Sequence, residues 1–321
     1  MLKGAERRNA QRDDLRPTAK QGKVTRMRFA AFSSGEQEGL AVAAPNGDFH
    51  GLLSGDPGYP GSLDILVRNG LSALEAAAAA LENGPVVDLE KVTLRPPLST
   101  PGKIICVGLN YVDHSIESGF VVPDYPTIFT RFTSSLIGAG APIIRPAVST
   151  QLDYEGEVVA VIGRGGRHIA EKDALDHVIG YSIFNDASVR DYQRKSPQWT
   201  IGKNFDDTGA FGPYLVTADE LSPGAKGLRI QTRLNGVVVQ NGSTDDMVFS
   251  VAKLISILSE AITLSAGDIL VTGTPAGVGM ARKPPLFMKH GDVCEVEVEG
   301  IGTLRNQVED EWTSSSEASA A

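Results

Sequence analysis

One segment restricts the fold more than any other, because it places three carboxylates directly before an apolar run. In the segment LDYEGEVVAVIG (152 to 163), the side-chain period of a strand puts Asp153, Glu155 and Glu157 on one face. Acidic groups at the start of a buried strand repel one another and cost free energy unless a cation or hydrogen bonds compensate them. A hard cation that prefers oxygen ligands, such as Mg²⁺ or Mn²⁺, is the natural compensator. The spacing alone fits a metal site and a solvated strand face equally well.

A further carboxylate lies where another predicted strand ends. Asp186 follows the apolar VIGYSIF in the segment FNDASVRDY, at a point where the chain turns. Such turns commonly carry side chains that reach into a site. Together with Glu155 and Glu157, Asp186 would be enough to hold a metal ion. The alternative role for Asp186 is that of a turn or cap residue.

A histidine and a carboxylate form a second candidate site. His114 and Glu117 lie three residues apart in VGLNYVDHSIESGF (107 to 120), so a helix would place them on the same face. A carboxylate partner stabilises a protonated imidazole, which suits the removal of a proton from water near neutral pH. Taken alone, the pair fits a surface ion pair on a short helix better than a catalytic pair.

Two further segments are typical of loops that line a site. Lys203 lies among glycines and aromatic residues in WTIGKNFDDTGAFGP (199 to 213), and the Gly-rich TGTPAGVG (272 to 279) follows the apolar DILV. The Gly-rich segment lacks the lysine of a phosphate-binding Walker loop and opens no periodic helix, which argues against a nucleotide site. A solvated lysine and an ordinary tight turn explain the two segments as well as function does.

The composition argues against several classes of partner. Of the 321 residues, 41% are hydrophobic and 21% are charged, which is typical of a globular protein. Gly, Pro or charge interrupts every apolar run before the roughly 20 residues that a membrane helix needs. The net charge of −9 predicts no footprint for nucleic acid. Cys106 and Cys294 stand alone in apolar segments, which predicts reduced, buried thiols. We therefore expect a cytoplasmic protein that binds neither membrane nor nucleic acid.

Composition also divides the chain into segments. The first 28 residues carry nine Lys or Arg and three acidic residues, which predicts a disordered basic extension; a nucleic-acid-binding or targeting arm is the alternative. Three prolines in LRPPLSTPGK (94 to 103) place a domain boundary near residue 99. The predicted segments are a basic extension (1–26), a small N-terminal domain (27–98), a metal-dependent catalytic domain (99–310) and a flexible tail (311–321).

Helices are few in the predicted secondary structure. Ser62 and Ser72 are each predicted to cap a helix, and the second helix ends at Asn83-Gly84. A third helix is predicted to begin at Asp245 or Asp246, because apolar residues recur there at helical spacing.

Strand patterns dominate the larger domain. Segments such as GEVVAVIG and DVCEVEVEGIGTLRNQV are bounded by turn residues, and Asn235-Gly236 predicts a hairpin turn. The predicted fold class is therefore α+β, mostly β.

Five motifs, taken in order, are more specific than any one of them. They are NYxxHxxE at 110 to 117, DYEGE at 153 to 157, NDASVRDYQ at 185 to 193, GK at 202 to 203 and TGTPAGVG at 272 to 279. Over residues 100 to 310 the chain resembles the fumarylacetoacetate hydrolase family. The resemblance implies a mixed β-roll catalytic domain, usually homodimeric, and it favours the metal site over a solvated strand face.

The resemblance also implies which residues bind the metal. Glu155, Glu157 and Asp186 match the positions that hold Mg²⁺ or Mn²⁺ in the family. Asp153 is expected to support these ligands without binding the metal itself.

Further roles are implied for residues that act on the substrate. His114 and Glu117 match a dyad that activates water, on a segment that acts as a lid in relatives. The positions matched to substrate contacts are Gln193, Lys203 and Thr274, and Arg190 is expected to line or support the same site.

The chain departs from the family in the segment FTRFTSS (129 to 135). Many relatives have a Lys-Pro pair there, and this chain has Arg131 and Phe132. The departure leaves open the role of this strand and the preference for the acyl group.

These roles predict a hydrolase that cleaves the C3–C4 bond of an acylpyruvate, such as maleylpyruvate or fumarylpyruvate, in the catabolism of aromatic compounds. The metal polarises the 2-oxo acid, His114 activates water with the help of Glu117, and Lys203 stabilises the oxyanion. Oxaloacetate decarboxylase and hydroxyheptadienedioate isomerase are the alternatives within the family. From another class, a non-catalytic binding module stabilised by metal would explain the carboxylates but not the dyad and the lysine.

Overall fold

The computed structural model describes residues 27–117, 119 and 121–312. Within these residues, 36% form strands and 23% form helices, which confirms the predicted α+β, mostly β class. The predicted basic extension (1–26) and residues 313–321 of the predicted tail lie outside the described residues. Across the described part, no helix is long and apolar enough to cross a membrane.

Most of the strands join two mixed sheets. Over the described residues they are β1 (Arg28–Ser34), β2 (Gln37–Ala43), β3 (Phe49–Leu53), β4 (Thr93–Leu94), β5 (Ile104–Gly108), β6 (Thr127–Arg131), β7 (Leu136–Ile137), β8 (Ile143–Arg145), β9 (Leu152–Asp153), β10 (Gly156–Ile162), β11 (Val178–Asp186), β12 (Ser188–Val189), β13 (Gly209–Thr217), β14 (Arg229–Leu234), β15 (Val237–Ser243), β16 (Ile269–Val271), β17 (Val293–Val298) and β18 (Gly302–Asp310). The larger sheet has the order β3-β2-β1-β13-β11-β10-β16-β5-β6, and the smaller one the order β15-β14-β17-β18-β8. In addition, β4 pairs with β1, β7 with β13, and β9 with β12.

Strand β10 lies in the middle of the larger sheet, because β11 and β16 flank it on its two sides. All seven of its residues are buried, so both faces of the strand are covered, which explains why VVAVI (158 to 162) is continuously apolar rather than alternating. The smaller sheet packs closely on it: a side chain at Gly156 would lie 2.4 Å from Thr232 Oγ1 and 2.8 Å from Val296 Cγ1. Glycine is therefore required between the two glutamates of the DYEGE motif.

The helices are α1 (Leu63–Asn69), α2 (Leu71–Leu81), α3 (Val112–Glu117), α4 (Arg190–Gln193) and α5 (Val251–Ala261). Ser62 occupies the N-terminal cap position of α1, although its side chain makes no capping hydrogen bond. The predicted cap at Ser72 is wrong, because α2 already begins at Leu71. Gly70, with a φ of 87°, turns the chain directly from α1 into α2.

The predicted start of α5 is also wrong. Asp245 and Asp246 belong to a separate 3₁₀ turn, and α5 begins after Ser250, whose hydroxyl accepts the N–H of Lys253 at 3.2 Å. The intervening backbone is used elsewhere, since the N–H of Phe249 donates to Asn110 Oδ1 at 2.8 Å. A real cap and a long-range contact thus override the helical spacing of the apolar residues.

The N-terminal strands continue the larger sheet, because β1 pairs with β13. Buried leucines of α1 and α2 belong to one apolar cluster with Phe29 of β1, Val159 of β10 and Phe211 of β13. The domain boundary near residue 99 stays a prediction, while this apolar cluster extends across it.

Two smaller predictions are confirmed. Asn235 and Gly236 join β14 to β15 with φ values of 52° and 76°, the left-handed conformations that an Asn-Gly hairpin turn supplies. Cys106 and Cys294 are both buried and free.

Truncation of Phe29 should destabilise the core on both sides of the predicted boundary. Phe29 is fully buried in the shared cluster, so Phe29→Ala should lower the free energy of unfolding by about 3–5 kcal/mol. Urea denaturation should give the same decrease in the free energy of unfolding whether it is monitored by far-UV circular dichroism or by tryptophan fluorescence. The control variant is Ile65→Ala, at a side chain that is 53% exposed. It should change the free energy of unfolding by less than about 0.5 kcal/mol. A shift seen by circular dichroism alone would show that the N-terminal segment unfolds separately.

Candidate active site

Three buried carboxylates meet where β10 begins and β11 ends. One oxygen each of Glu155, Glu157 and Asp186 lies within 4.8 Å of the others. The pairing of β10 with β11 brings them together, and the N–H of Asp186 donates to the carbonyl of Glu155 at 2.9 Å. The structure thus assembles the three residues that the sequence predicts as metal ligands.

Three buried cations surround these carboxylates. Lys203 Nζ bridges Glu155 and Asp186, and its distance to Asp186 Oδ2 is 2.6 Å. Arg131 Nη1 lies 2.5 Å from Asp186 Oδ1. Arg190 Nη2 lies 2.7 Å from Glu155 Oε1, in an ion pair whose angles do not make a hydrogen bond. Glu155 and Asp186 therefore have two cationic partners each.

Glu157 differs from its two neighbours, because no described lysine or arginine forms an ion pair with it. Its carboxylate accepts the N–H of Gly273 at 2.5 Å. Burial, together with repulsion from Asp186 and Glu155, raises the pKa of Glu157 well above its ordinary value. Burial has the same effect on Glu155, but the neighbouring cations outweigh it and lower the pKa of that carboxyl. Negative charge is therefore least compensated at Glu157.

Lys203 stays charged in spite of its burial. Burial alone would lower the pKa of its ammonium, but Asp186 and Glu155 outweigh that effect and raise it. The side chain is only 2% exposed, and its Nζ lies 4.8 Å from the centre of the Phe129 ring. Lys203 is therefore a fixed positive charge between two of the acidic residues.

The donor set fits a hard divalent cation. With Asp153 included, four buried carboxylates face the three buried cations, so the fully ionised cluster carries one negative charge in excess. Oxygens bound to Mg²⁺ at about 2.1 Å lie at most about 4.2 Å apart. A small approach of the three carboxylates would reach that spacing from the 4.8 Å seen here. These residues could therefore hold a divalent cation.

Asp153 holds the surroundings of the cluster in place. It lies on β9, which ends before β10 begins, so the three acidic residues of DYEGE do not lie on one continuous strand as predicted. Its carboxylate accepts Arg190 Nε at 2.8 Å and the backbone N–H groups of Gly279 and Met280 at 2.7 and 2.9 Å. These bonds favour the predicted supporting role of Asp153, because they fix the arginine that contacts Glu155.

His114 and Glu117 form the predicted pair on α3. His114 Nδ1 lies 3.0 Å from Glu117 Oε1, and His114 lines the same cavity as the acidic cluster. The carboxylate of Glu117 also accepts the N–H of Gly277 at 2.9 Å. Glu117 therefore orients the imidazole and ties α3 to the Gly-rich loop (272 to 279).

The Gly-rich loop supplies backbone N–H groups to three of the acidic residues: Glu157, Glu117 and, through Gly279, Asp153. Gly273 donates to Glu157 and Gly277 to Glu117. Their φ values of 98° and 107° are rarely adopted by residues that carry a side chain. At Gly277 an added side chain would also lie 2.1 Å from the carbonyl oxygen of Val239. The glycines of this motif are explained by the carboxylates that they bind.

The acidic cluster and the histidine line one cavity of about 350 Å³. The other predicted residues that line it are Arg190, Gln193, Lys203 and Thr274. The hydroxyl of Thr274 donates to the carbonyl of Gly156 at 2.9 Å and accepts Gln240 Nε2 at 2.8 Å. Thr274 therefore holds the start of β10, and its hydroxyl has no proton left to donate to a ligand.

The sequence did not reveal every residue of the site. Arg131, whose role the departure from the family left open, is buried and donates to Thr208 Oγ1 at 2.7 Å besides holding Asp186. An arginine ending the strand-like TIFTR was the available signal. Arg194 and Trp199 also line the cavity: Arg194 lies in the polar stretch RKSP, where no periodicity marks it, and Trp199 begins the segment (199 to 213) that was predicted to line a site.

Comparison with known proteins finds relatives over most of the chain. Residues 103–309 match the family described as fumarylacetoacetate (FAA) hydrolase, C-terminal. The mitochondrial oxaloacetate tautomerase fahd2 of Xenopus laevis is 41% identical over 288 residues, which cover 88% of this chain and 90% of that protein. The oxaloacetate tautomerase YisK of Bacillus subtilis is 44% identical over 224 residues, which cover 68% and 74%.

A solved structure has the same fold. The fumarylacetoacetate hydrolase of Exiguobacterium antarcticum superposes with a TM-score of 0.79 at 38% identity, over 89% of this chain and 100% of that one. This similarity confirms the fold that the motifs implied.

The relatives overturn the predicted acylpyruvate hydrolase. Relatives that are similar in sequence over most of the chain include tautomerases of oxaloacetate, and a tautomerase breaks no carbon–carbon bond. The prediction was wrong because the motifs imply only residues that would hold a metal and move a proton. Both are needed for hydrolysis and for tautomerisation, so the motifs do not separate the two reactions.

Two substitutions in the acidic cluster should affect stability in opposite ways. Without metal, Glu157→Gln removes the uncompensated charge and should leave the free energy of unfolding unchanged or raise it. Asp186→Asn leaves Arg131 and Lys203 with an unpaired charge and should lower it by about 3–5 kcal/mol.

Urea denaturation in EDTA measures the stability of both variants, and titration calorimetry measures their affinity for Mn²⁺. Both variants should bind Mn²⁺ more weakly than the wild type. Equal destabilisation by the two substitutions in EDTA would contradict this description of the charges, as would unchanged Mn²⁺ affinity in Glu157→Gln.

Proposed function

The chain belongs to the fumarylacetoacetate hydrolase family, and we propose that within it this protein is a divalent-metal-dependent tautomerase that interconverts the keto and enol forms of oxaloacetate. The observation that carries the proposal is 41% identity to an oxaloacetate tautomerase over 88% of the chain. The acidic cluster and His114, which line one cavity, support it, as does the contact between His114 and Glu117.

The proposed reaction moves protons and breaks no bond between carbons. In the direction from keto to enol, C3 loses a proton and the 2-oxo oxygen gains one. A bound Mg²⁺ or Mn²⁺ would polarise the 2-oxo group and so make the C3 proton more acidic. The residues of the chain must then supply a base near C3 and hold the substrate in place.

His114 is the proposed base. The ring nitrogen that does not face Glu117 takes the C3 proton, and the carboxylate of Glu117 stabilises the imidazolium that forms. His114 is only 7% exposed, so its proton is shielded from bulk water and can pass from the imidazolium to the 2-oxo oxygen, which gives the enol and returns His114 to its neutral form. In the reverse direction the same imidazolium delivers the proton to C3. The pair that was predicted to activate water is thus proposed to take a proton from carbon and to return it.

The buried cations have a different proposed task. Lys203 and Arg190 hold Glu155 in its ionised form, and Lys203 and Arg131 form ion pairs with Asp186. Ionised carboxylates are the form that binds a hard cation.

The cytoplasmic location and the homodimer stay predictions.

The proposal predicts enol–keto exchange without release of pyruvate. The Mg²⁺- or Mn²⁺-loaded protein should accelerate the loss of enol-oxaloacetate, which is measured by the ultraviolet absorbance of the enol. A lactate dehydrogenase assay on the same samples should detect no pyruvate above the spontaneous rate, from either oxaloacetate or acetylpyruvate. His114→Ala should slow the exchange by a factor on the order of 10² to 10⁴ while keeping its affinity for Mn²⁺.

His290→Ala is the matched control, because His290 is exposed and its Nδ1 accepts the N–H of Asp310 on β18, outside the cavity. It should exchange oxaloacetate at the wild-type rate. Enzymatic release of pyruvate from oxaloacetate would identify a decarboxylase instead. Metal binding without turnover of either substrate would identify a binding module.

A further inference from the structure

One cation at the mouth of the cavity has no carboxylate partner among the described residues. Arg194 lines the cavity, and its side chain is exposed. Its guanidinium contacts the thioether of Met280, with Nη2 3.4 Å from Sδ. A thioether is a weak acceptor that carries no charge, so this contact positions the guanidinium without neutralising it. The other arginine that lines the cavity, Arg190, and the lysine, Lys203, are each bound to carboxylates.

The backbone that carries Arg194 is firmly held. Arg194 directly follows α4, and its N–H donates to the carbonyl of Arg190 at 3.2 Å. The segment of Lys203 packs against the same turn so closely that a side chain at Gly202 would lie 2.3 Å from the nitrogen of Gln193. Arg194 thus belongs to the same rigid turn as two residues of the cavity wall.

The net charge of the acidic cluster with a metal and a dicarboxylate substrate bound is one that the charge of Arg194 would neutralise. The four buried carboxylates exceed the three buried cations by one negative charge, and a divalent metal would turn that excess into one positive charge. A dicarboxylate substrate would then bring two negative charges into the cavity. One further positive charge at the cavity would restore neutrality, and Arg194 is the described residue that can supply it.

Apolar side chains line part of the cavity wall, so a second carboxylate of the substrate is better placed at the mouth of the cavity. Val107, Leu109, Phe129 and Trp199 line the cavity with apolar surface. A carboxylate against such a surface would lose its hydration without a partner in return, which is costly. A guanidinium offers paired N–H donors that match a carboxylate.

We propose that Arg194 binds the distal carboxylate of the substrate and thereby selects 2-oxo dicarboxylates over 2-oxo monocarboxylates. This inference rests on the proposed function, in which the 2-oxo acid end of the substrate faces the acidic cluster. Arg194 is then a residue of substrate specificity and takes no part in the proton transfer.

The test compares two ligands that the enzyme cannot tautomerise. Malate and 2-hydroxybutanoate both have a 2-hydroxy acid end and four carbons, and only malate has a distal carboxylate. Titration calorimetry on the Mg²⁺-loaded protein measures their affinities without any turnover. The variants are Arg194→Gln and, as the matched control, Lys195→Gln, which removes the same charge from the neighbouring residue. Lys195 is exposed, and its Nζ lies 3.2 Å from the centre of the Tyr192 ring.

The wild type should bind malate at least about tenfold more tightly than 2-hydroxybutanoate, the effect of one hydrogen-bonded charge pair. Arg194→Gln should lower the affinity for malate by about tenfold or more and change that for 2-hydroxybutanoate by less than about twofold. Lys195→Gln should change neither by more than about twofold, because its charge is screened by solvent.

Three results would overturn the assignment. The first is a wild type that does not prefer malate, and the second is an Arg194→Gln variant with unchanged affinity for malate. The third is an Arg194→Gln variant that loses affinity equally for both ligands. Failure of the proposed function is a separate result: selective binding of malate through Arg194 without enol–keto exchange would refute the tautomerase and leave the dicarboxylate site standing.

Discussion

The buried charges at the start of β10 determine the rest of the site. Four carboxylates and three cations lie in the interior of a mostly β protein, and each unpaired charge there would cost several kcal/mol. Most of the charges are paired, which explains why an arginine stands at position 131 and why Asp153 holds Arg190. Glu157 is the exception, and its deficit of positive charge is the physical reason for assigning a divalent metal to this place.

The same charges connect distant parts of the chain. Lys203 joins the ends of β10 and β11, while backbone N–H groups of the Gly-rich loop hold Glu157 and Glu117. Through Glu117, the loop also fixes α3 and the imidazole of His114. A predicted metal ligand and the proposed base are therefore positioned by one loop, although some 40 residues of sequence separate them.

Local spacing was enough to find much of this site, and it failed where long-range contacts decide. The alternation in DYEGE and the helical spacing of His114 and Glu117 pointed to Glu155, Glu157 and His114, which do line one cavity. No local pattern could reveal that Arg131 contacts Asp186, because that pair depends on the arrangement of β6 and β11 in the larger sheet. The start of α5 was missed for a similar reason, since the preceding backbone bonds to Asn110. The reaction itself was beyond the motifs, which are shared by enzymes that cleave a carbon–carbon bond and enzymes that only shift a proton.

Anomalous scattering from a crystal of the protein soaked in Mn²⁺ tests the charge argument most directly. We expect one strong peak within about 2.0–2.3 Å of carboxylate oxygens from Glu155, Glu157 and Asp186, with Glu157 ionised and bound. A map without a peak at Glu157, in which Lys203 still bridges the other two carboxylates, would contradict the account.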